Sequence, residues 1–352
     1  MPADFQSLMN HATRLTQQGN LQAATAAIQS ALAGADRTAD AASLRAKSRA
    51  TNLIALNAPE RYETAKSDVP SAGIERFIAG SHSNSDQYRG NYKLYTPPGA
   101  GVRPLPLVVM LHGCTQNPDD FAAGTAMNTL ARSQGFYVLY PEQSSSANPQ
   151  RCWNWFKHTH QQRGRGEPEL IAEMARELMR THLIDSQRVY VAGLSAGGAM
   201  AAILGDAYPE IFAAVGVHSG LATGIAKDLG SALSAMKGVG LSMPSSASGV
   251  ATIVFHGDAD ATVHPSNGNQ VIAACTGVAA SVVVNQLKTT GIRTTTRSEY
   301  RAADGRVVAE HWLVQGASHA WSGGSVNGSY TDARGPDASA EMLRFFLQHP
   351  RA

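Results

Sequence analysis

No apolar run in this 352-residue chain approaches the roughly 18–20 residues that a membrane-crossing helix needs, so no helical span is expected. Charge of one sign is not in excess either: the formal balance is +2, without the basic footprint of a nucleic-acid binder or a polybasic membrane anchor. Cysteine is scarce. Cys114, Cys152 and Cys275 form no C-x-x-C and no metal-ligand spacing, which excludes a disulfide-built scaffold and a zinc module. At most one intrachain disulfide can form, and three buried free thiols fit the count equally well. His158 and His160 flank Thr159 in a polar stretch without a third ligand nearby, as in a solvated loop. Residues Met1 to Leu21 lack a basic segment followed by an apolar one, so no secretory signal is expected, and this alone points to the cytoplasm. What remains, 43% hydrophobic and 16% charged residues, describes a globular chain with a sizeable core.

Two regions differ in pattern. Residues 1–72 hold almost no aromatics and many alanines. Apolar positions recur at helical spacing (Leu8, Ala12, Leu15, then Leu21, Ala24, Ile28, Ala31, Leu32), broken at Gly19-Asn20 and stopped at Gly34. A helical extension is expected there, packed on the α/β region, mediating self-association, or partly disordered. Residues 73–352 read instead as strands alternating with helices. Tyr88 to Thr96 alternates like a half-exposed strand. The runs Leu107–Leu111, Phe136–Tyr140, Val189–Ala192, Ala213–Val217 and Thr252–Phe255 are short and continuous, as in strands buried on both faces. Val307–Val314 adds a late strand, while Glu169–Thr181 and Ser339–Leu347 read as helices. This order predicts an α/β fold with a mainly parallel sheet covered by helices on both faces.

In such sheets the working loops lie beyond the carboxyl ends of the strands. Gly193-Leu194-Ser195-Ala196-Gly197 follows one strand and precedes a helix-compatible stretch, the setting of a nucleophile elbow. Small residues also gather at ordinary strand-to-helix turns, so the pentapeptide gains weight only from its companions. A serine hydroxyl needs a base and a group to orient that base. His319, in the small-residue loop after Val314, is the candidate base. Asp258 and Asp260 both follow the strand ending at Phe255. The stretch His256-Gly257-x-x-Asp260-x-x-Val263 resembles a turn common to α/β-hydrolases, and this resemblance implies Asp260 as the orienting acid, with Asp258 holding turn amides. Ser195, Asp260, His319 is the chain order of hydrolase-fold triads. For the oxyanion the candidate donors are the amides of Ala196 and Cys114, the latter beside Gly113 in the loop after Leu111. Trp153, Trp155 and Trp321 are candidate walls of a substrate pocket, or equally ordinary core aromatics.

Taken with Leu111-His112-Gly113-Cys114-Thr115-Gln116, Cys152-Trp153-Asn154-Trp155-Phe156, His218-Ser219-Gly220, His319-Ala320-Trp321-Ser322-Gly323-Gly324 and Gly335-Pro336-Asp337-Ala338-Ser339, these segments resemble the esterase family of extracellular poly(3-hydroxybutyrate) depolymerases, which includes feruloyl and acetylxylan esterase-like members. The resemblance covers about residues 75–348. It implies an α/β-hydrolase fold, serine esterase activity on a polyester or small ester, and no metal or organic cofactor. It also implies that Cys114 pairs with Cys152, which requires an oxidising compartment and sets an extracellular expectation against the missing signal. Short-chain polyhydroxyalkanoate is the expected substrate and a plant-cell-wall carbohydrate ester the alternative. A non-catalytic scaffold using the N-terminal helices is argued against by the intact triad. Depolymerases of this type usually carry a linker and a polymer-binding domain after the catalytic part. The end of the chain at Ala352 therefore favours soluble oligomers, amorphous polyester or small esters.

Overall fold

The computed structural model describes residues 74–83, 89–239, 249–276, 281–287 and 293–351. The helical extension expected over residues 1–72, and its boundary with the α/β region, lie outside these.

Leu105–Leu111 (β3), Tyr137–Pro141 (β4), Ala214–His218 (β6) and Ala251–Gly257 (β7) are buried along their whole length. So is the second half of Ile184–Leu194 (β5). Side chains that alternate across a pleat and are apolar at every position need cover on both faces. The sheet provides it. Leu107, Val109 and Leu111 of β3 enter one core with Val189, Val191 and the helices Gly166–Thr181 (α3) and Ala196–Ala207 (α4). Val108 and Met110 enter the other, with Pro118–Thr125 (α1), Met127–Gln134 (α2) and Ala338–Leu347 (α7). Leu229–Met236 (α5) and Ser266–Thr276 (α6) complete the first face.

The strand order is β1-β2-β4-β3-β5-β6-β7-β10-β9-β8, with Arg76–Ser83 as β1, Arg89–Thr96 as β2, Ser281–Leu287 as β8, Thr295–Arg301 as β9 and Val307–Val314 as β10. The six central strands from β4 to β10 run parallel, as expected. Both ends of the sheet are antiparallel, through β1–β2–β4 on one side and β10–β9–β8 on the other. Strands β1, β8 and β9 lack long buried apolar runs: β9 has no two adjacent apolar residues, and Val282, Val283 and Val284 of β8, at the end of the sheet, are exposed.

The helices begin where their first amides find acceptors. Asn117 caps α1 through Asp120 N, and Asp337 caps α7 through Ala340 N. The α3 helix starts at Gly166, so Pro168 falls in its first turn, where no amide is needed. A two-stranded ladder, Trp321–Ser322 (β11) with Thr331–Asp332 (β12), shapes the loop after β10.

Candidate active site

The β5–α4 junction turns so sharply that strand, turn and helix touch backbone to backbone. A Cβ on Gly193 would stand 2.3 Å from the Gly197 carbonyl carbon, and one on Gly197 would stand 2.1 Å from the Leu111 carbonyl oxygen. Between them Ser195 is held at φ 58, ψ −118, a region that residues with side chains rarely enter. Its amide donates to His218 O (2.9 Å), which ties the turn to β6. The result is a serine at the carboxyl end of β5, on the first turn of a buried helix, with its hydroxyl at the sheet edge.

Asp260 and His319 meet across the carboxyl ends of β7 and β10. His319 Nδ1 lies 2.7 Å from Asp260 Oδ2, with the carboxylate fully buried and the imidazole 12% exposed. The other carboxylate oxygen accepts the amides of Thr262 and Val263, both at 2.9 Å. Burial alone would raise the Asp260 pKa. The hydrogen bonds and charge offered by His256 and His319 outweigh it and hold the carboxyl well below its usual range. An ionised Asp260 favours a proton on His319 Nδ1, which leaves Nε2 unprotonated and able to act as a base.

Asp258 has a different task. Its Oδ1 accepts the Gly316 amide at 2.6 Å, and its own amide donates to Val314 O. It stitches the His319 loop to β7. Gly257 permits the same approach, since a Cβ there would lie 2.2 Å from Ala317 O.

The loop after β3 faces the elbow, with Gly113 bare toward Ser195: an added Cβ would lie 3.7 Å from Ser195 Cβ. Neither the Cys114 nor the Ala196 amide has a hydrogen-bond acceptor among the described residues. Two unspent N–H donors on loops that converge on one serine are the requirement for holding an oxyanion. Cys114 is joined to Cys152 by a disulfide, with Cα atoms 4.2 Å apart. Closing a loop with a sequence separation of 38 contributes about 3–4 kcal/mol in the chain-entropy account. Thiol titration of denatured, unreduced protein is expected to count one thiol, that of Cys275; a count of three would refute the pair.

Several residues organise this loop in ways that the sequence motifs do not specify. His112 donates from Nδ1 to Gly113 O (2.8 Å) and accepts the Gln143 amide on Nε2 (3.1 Å). Burial lowers its pKa to about 4, so it is a neutral structural ring. Gln116 Oε1 takes the Gly113 amide, and its Nε2 reaches Asp120 and Ser329. Glu167, buried in α3, accepts the Asn154 amide and the side chains of Asn154 and Gln143. No spacing in the chain foretells contacts between segments this far apart.

The tryptophans are where the pocket expectation gives way. Trp153, Trp155 and Trp321 are 1%, 6% and 1% exposed. Trp153 donates from Nε1 to His112 O, and Trp321 donates to Ser339 Oγ while stacking on His218 at 5.0 Å. They are core aromatics beneath the site loops, because a ring this large gains most from full burial once its N–H has a partner. A separate depression lies beside β2 and the start of α1, and none of Ser195, Asp260 and His319 lines it. Its volume is ≈ 540 Å³, and its lining includes Asn91, Tyr92, Lys93, Asn117, Glu142 and Arg151.

Among the described residues no group of three or more histidine, cysteine or acidic side chains is placed to hold a metal ion, and no helix is long and apolar enough to cross a membrane.

Comparison with known proteins agrees with this geometry. Poly(3-hydroxyalkanoate) depolymerase C of Paucimonas lemoignei is 30% identical over 251 residues, covering 67% of this chain and 60% of that protein. A probable acetylxylan esterase A of Neosartorya fischeri is 28% identical over 231 residues, covering 58% of this chain and 61% of its own. The chain thus spans about three fifths of the length of these two relatives. Acetyl xylan esterase from Aspergillus awamori superposes with a TM-score of 0.59 over 77% of this chain and 99% of that one, at 20% identity, which shows the α/β-hydrolase fold. Residues 90–300, more than half of the sequence, match the family model described as Esterase PHB depolymerase, and the chain belongs to that family.

Proposed function

We propose that the chain hydrolyses carboxylic esters through an acyl-enzyme on Ser195. The observation that carries this reading is the buried Asp260 carboxyl bonded to His319 Nδ1, together with the strained turn that holds Ser195 at the carboxyl end of β5. His319 Nε2 takes the proton as Ser195 Oγ attacks the ester carbonyl. The Cys114 and Ala196 amides hold the negative oxygen, and Asp260 stabilises the imidazolium. His319 then protonates the departing alcohol. A water molecule, deprotonated by the same ring, releases the acid and restores the serine.

The substrate class we infer is a short-chain hydroxyalkanoate ester, as polymer or oligomer. The similarity to a poly(3-hydroxyalkanoate) depolymerase at 30% identity supports it. The relation to acetylxylan esterases supports a carbohydrate ester as the second reading. A Cys114–Cys152 disulfide suits an oxidising compartment, so we place the working enzyme outside the cytoplasm.

A panel of 3-hydroxybutyrate oligomers, amorphous polyhydroxybutyrate, feruloyl esters and acetylated xylan separates these readings. The oligomers and amorphous polyester are expected to show the highest kcat/KM. Preference for either plant-wall ester would replace the polyester reading, and hydrolysis of none of them would remove the esterase assignment.

A further inference from the structure

The pair formed by Asp260 and His319 rests on a third side chain. His256, at the end of β7, has a fully buried side chain. Its Nε2 lies 2.8 Å from Val263 O and 3.5 Å from Asp260 Oδ2, the oxygen that also receives His319. A carbonyl at 2.8 Å requires a proton on Nε2, so the ring presents the positive end of an N–H to the carboxylate while clamping the turn 260–263. That turn supplies the Thr262 and Val263 amides to the other carboxylate oxygen. The opposite nitrogen, Nδ1, is buried without a hydrogen-bond partner, as is His311 Nε2 on β10. Gly268 of α6 makes room for both: a Cβ there would come 3.2 Å from His256 Nδ1 and 2.8 Å from His311 Nε2. Nothing in the acyl-transfer steps uses His256.

We infer that His256 is a positioning residue for Asp260, setting the orientation of the carboxylate and its strength as an acceptor toward His319. His256 gives the first position of the His-Gly-x-x-Asp-x-x-Val segment a physical task. It fastens the turn that aims the acid, and it shares the acid's charge with the catalytic base. This role rests on the esterase reading above.

The ionisable rings facing the pair are His256 from β7, His218 from β6 and, behind His256, His311 from β10. Burial, chiefly, lowers His218 to about 3 and His311 to about 4, so both remain neutral where esterases are assayed. Neither of these two rings therefore shapes the acid limb of the pH profile.

The test compares His256→Gln, whose amide nitrogen can occupy the place of Nε2, with His256→Met, which fills the space without a donor. Removing the donor leaves Asp260 a stronger acceptor for His319, which favours the imidazolium, so the acid limb of kcat/KM should move to higher pH. The methionine variant is expected to lose about tenfold in kcat, with the limb raised by about half a pH unit and KM held. Glutamine should stay within about threefold of wild type with the limb in place. If the methionine variant fails to fold, His256→Asn replaces it, because its shorter amide stops short of Val263 O. A limb and kcat unchanged by methionine would overturn the inference, and so would a glutamine variant as impaired as the donorless one. Ser195→Ala, assayed in parallel, judges the esterase reading separately: if it keeps wild-type activity, that reading fails whatever the His256 variants do.

Discussion

Ser195→Ala is expected to lower kcat for ester hydrolysis by about 10⁴–10⁶-fold with KM nearly unchanged. The reason is local. In the proposed mechanism the hydroxyl forms the acyl bond, and no other nucleophilic side chain stands in Gly193–Gly197. Residual hydrolysis above the uncatalysed rate should persist, because the Cys114 and Ala196 amides and the substrate contacts remain. Asp260→Asn belongs to the same expectation. An amide in that place donates toward His319 Nδ1 or accepts less strongly, the ring loses its fixed tautomer, and kcat falls by about 10⁴. Steady-state kinetics on one soluble ester, with circular dichroism as a control for folding, checks both. Ser195→Ala retaining more than about a tenth of wild-type kcat would place the nucleophile elsewhere.

The largest expected loss of stability comes from Gly197→Ala. A methyl there meets the Leu111 carbonyl oxygen at 2.1 Å, the Leu111 carbonyl carbon at 2.6 Å and the His112 carbonyl oxygen at 2.6 Å. All three are backbone atoms of the central strand β3 and the residue after it, so no side chain can swing away. Either β3 separates from the elbow or α4 shifts along its axis. Both movements open the middle of the two cores, at a cost of about 4 kcal/mol or more. Denaturant unfolding should show the lower midpoint, or the variant should fail to accumulate in soluble form. Gly99→Ala is the contrast: its φ is 80 but nothing lies within 4 Å, so only the modest strain of its backbone conformation is expected. A Gly197→Ala variant as stable as wild type would mean that the elbow does not pack on β3 as described.

These two results test different links of one chain of cause. Gly193 and Gly197 exist to let backbones touch. That contact forces Ser195 to positive φ, and the strained turn carries the hydroxyl to the sheet edge. Among the described residues five other non-glycine residues have positive φ: Ala126 joins α1 to α2, while Thr115, Arg151, Ser219 and Tyr330 lie in loops. Thr115 is two residues past Gly113 and Arg151 is next to Cys152. The disulfide and the amide contact from Thr115 to Gln150 (2.7 Å) hold those two loops together.

Much of this is legible in the chain. The parallel strands are readable because burial on both faces demands unbroken apolar runs. The order of Ser195, Asp260 and His319 is readable because each follows such a run directly. The choice of Asp260 over Asp258 comes from a spacing, and its physical content is visible only in the folded protein: the amides at positions 262 and 263 close back on the residue at 260. Local turn chemistry of this kind is encoded within a few residues, which is why a short pattern captures it. The tryptophans show the opposite case. Residue type says that Trp153, Trp155 and Trp321 are large and apolar, which suits a pocket wall and a core equally. Only the packing of β3, the 152–156 segment and α7 around them assigns all three to the core.

By itself, then, the sequence determined the sheet's parallel centre, the elbow, and the three residues placed beyond the carboxyl ends of β5, β7 and β10. Those features depend on neighbours in the chain, and periodicity and turn chemistry write them locally. The tertiary structure decided the antiparallel edges, the buried Glu167 beneath the 152–156 segment, the neutral rings of His112 and His218, and the place of His256 behind the acid. Those depend on which distant segments meet once both faces of the sheet are covered. A buried polar group finds its partner in three dimensions, because burial leaves no water to substitute for it.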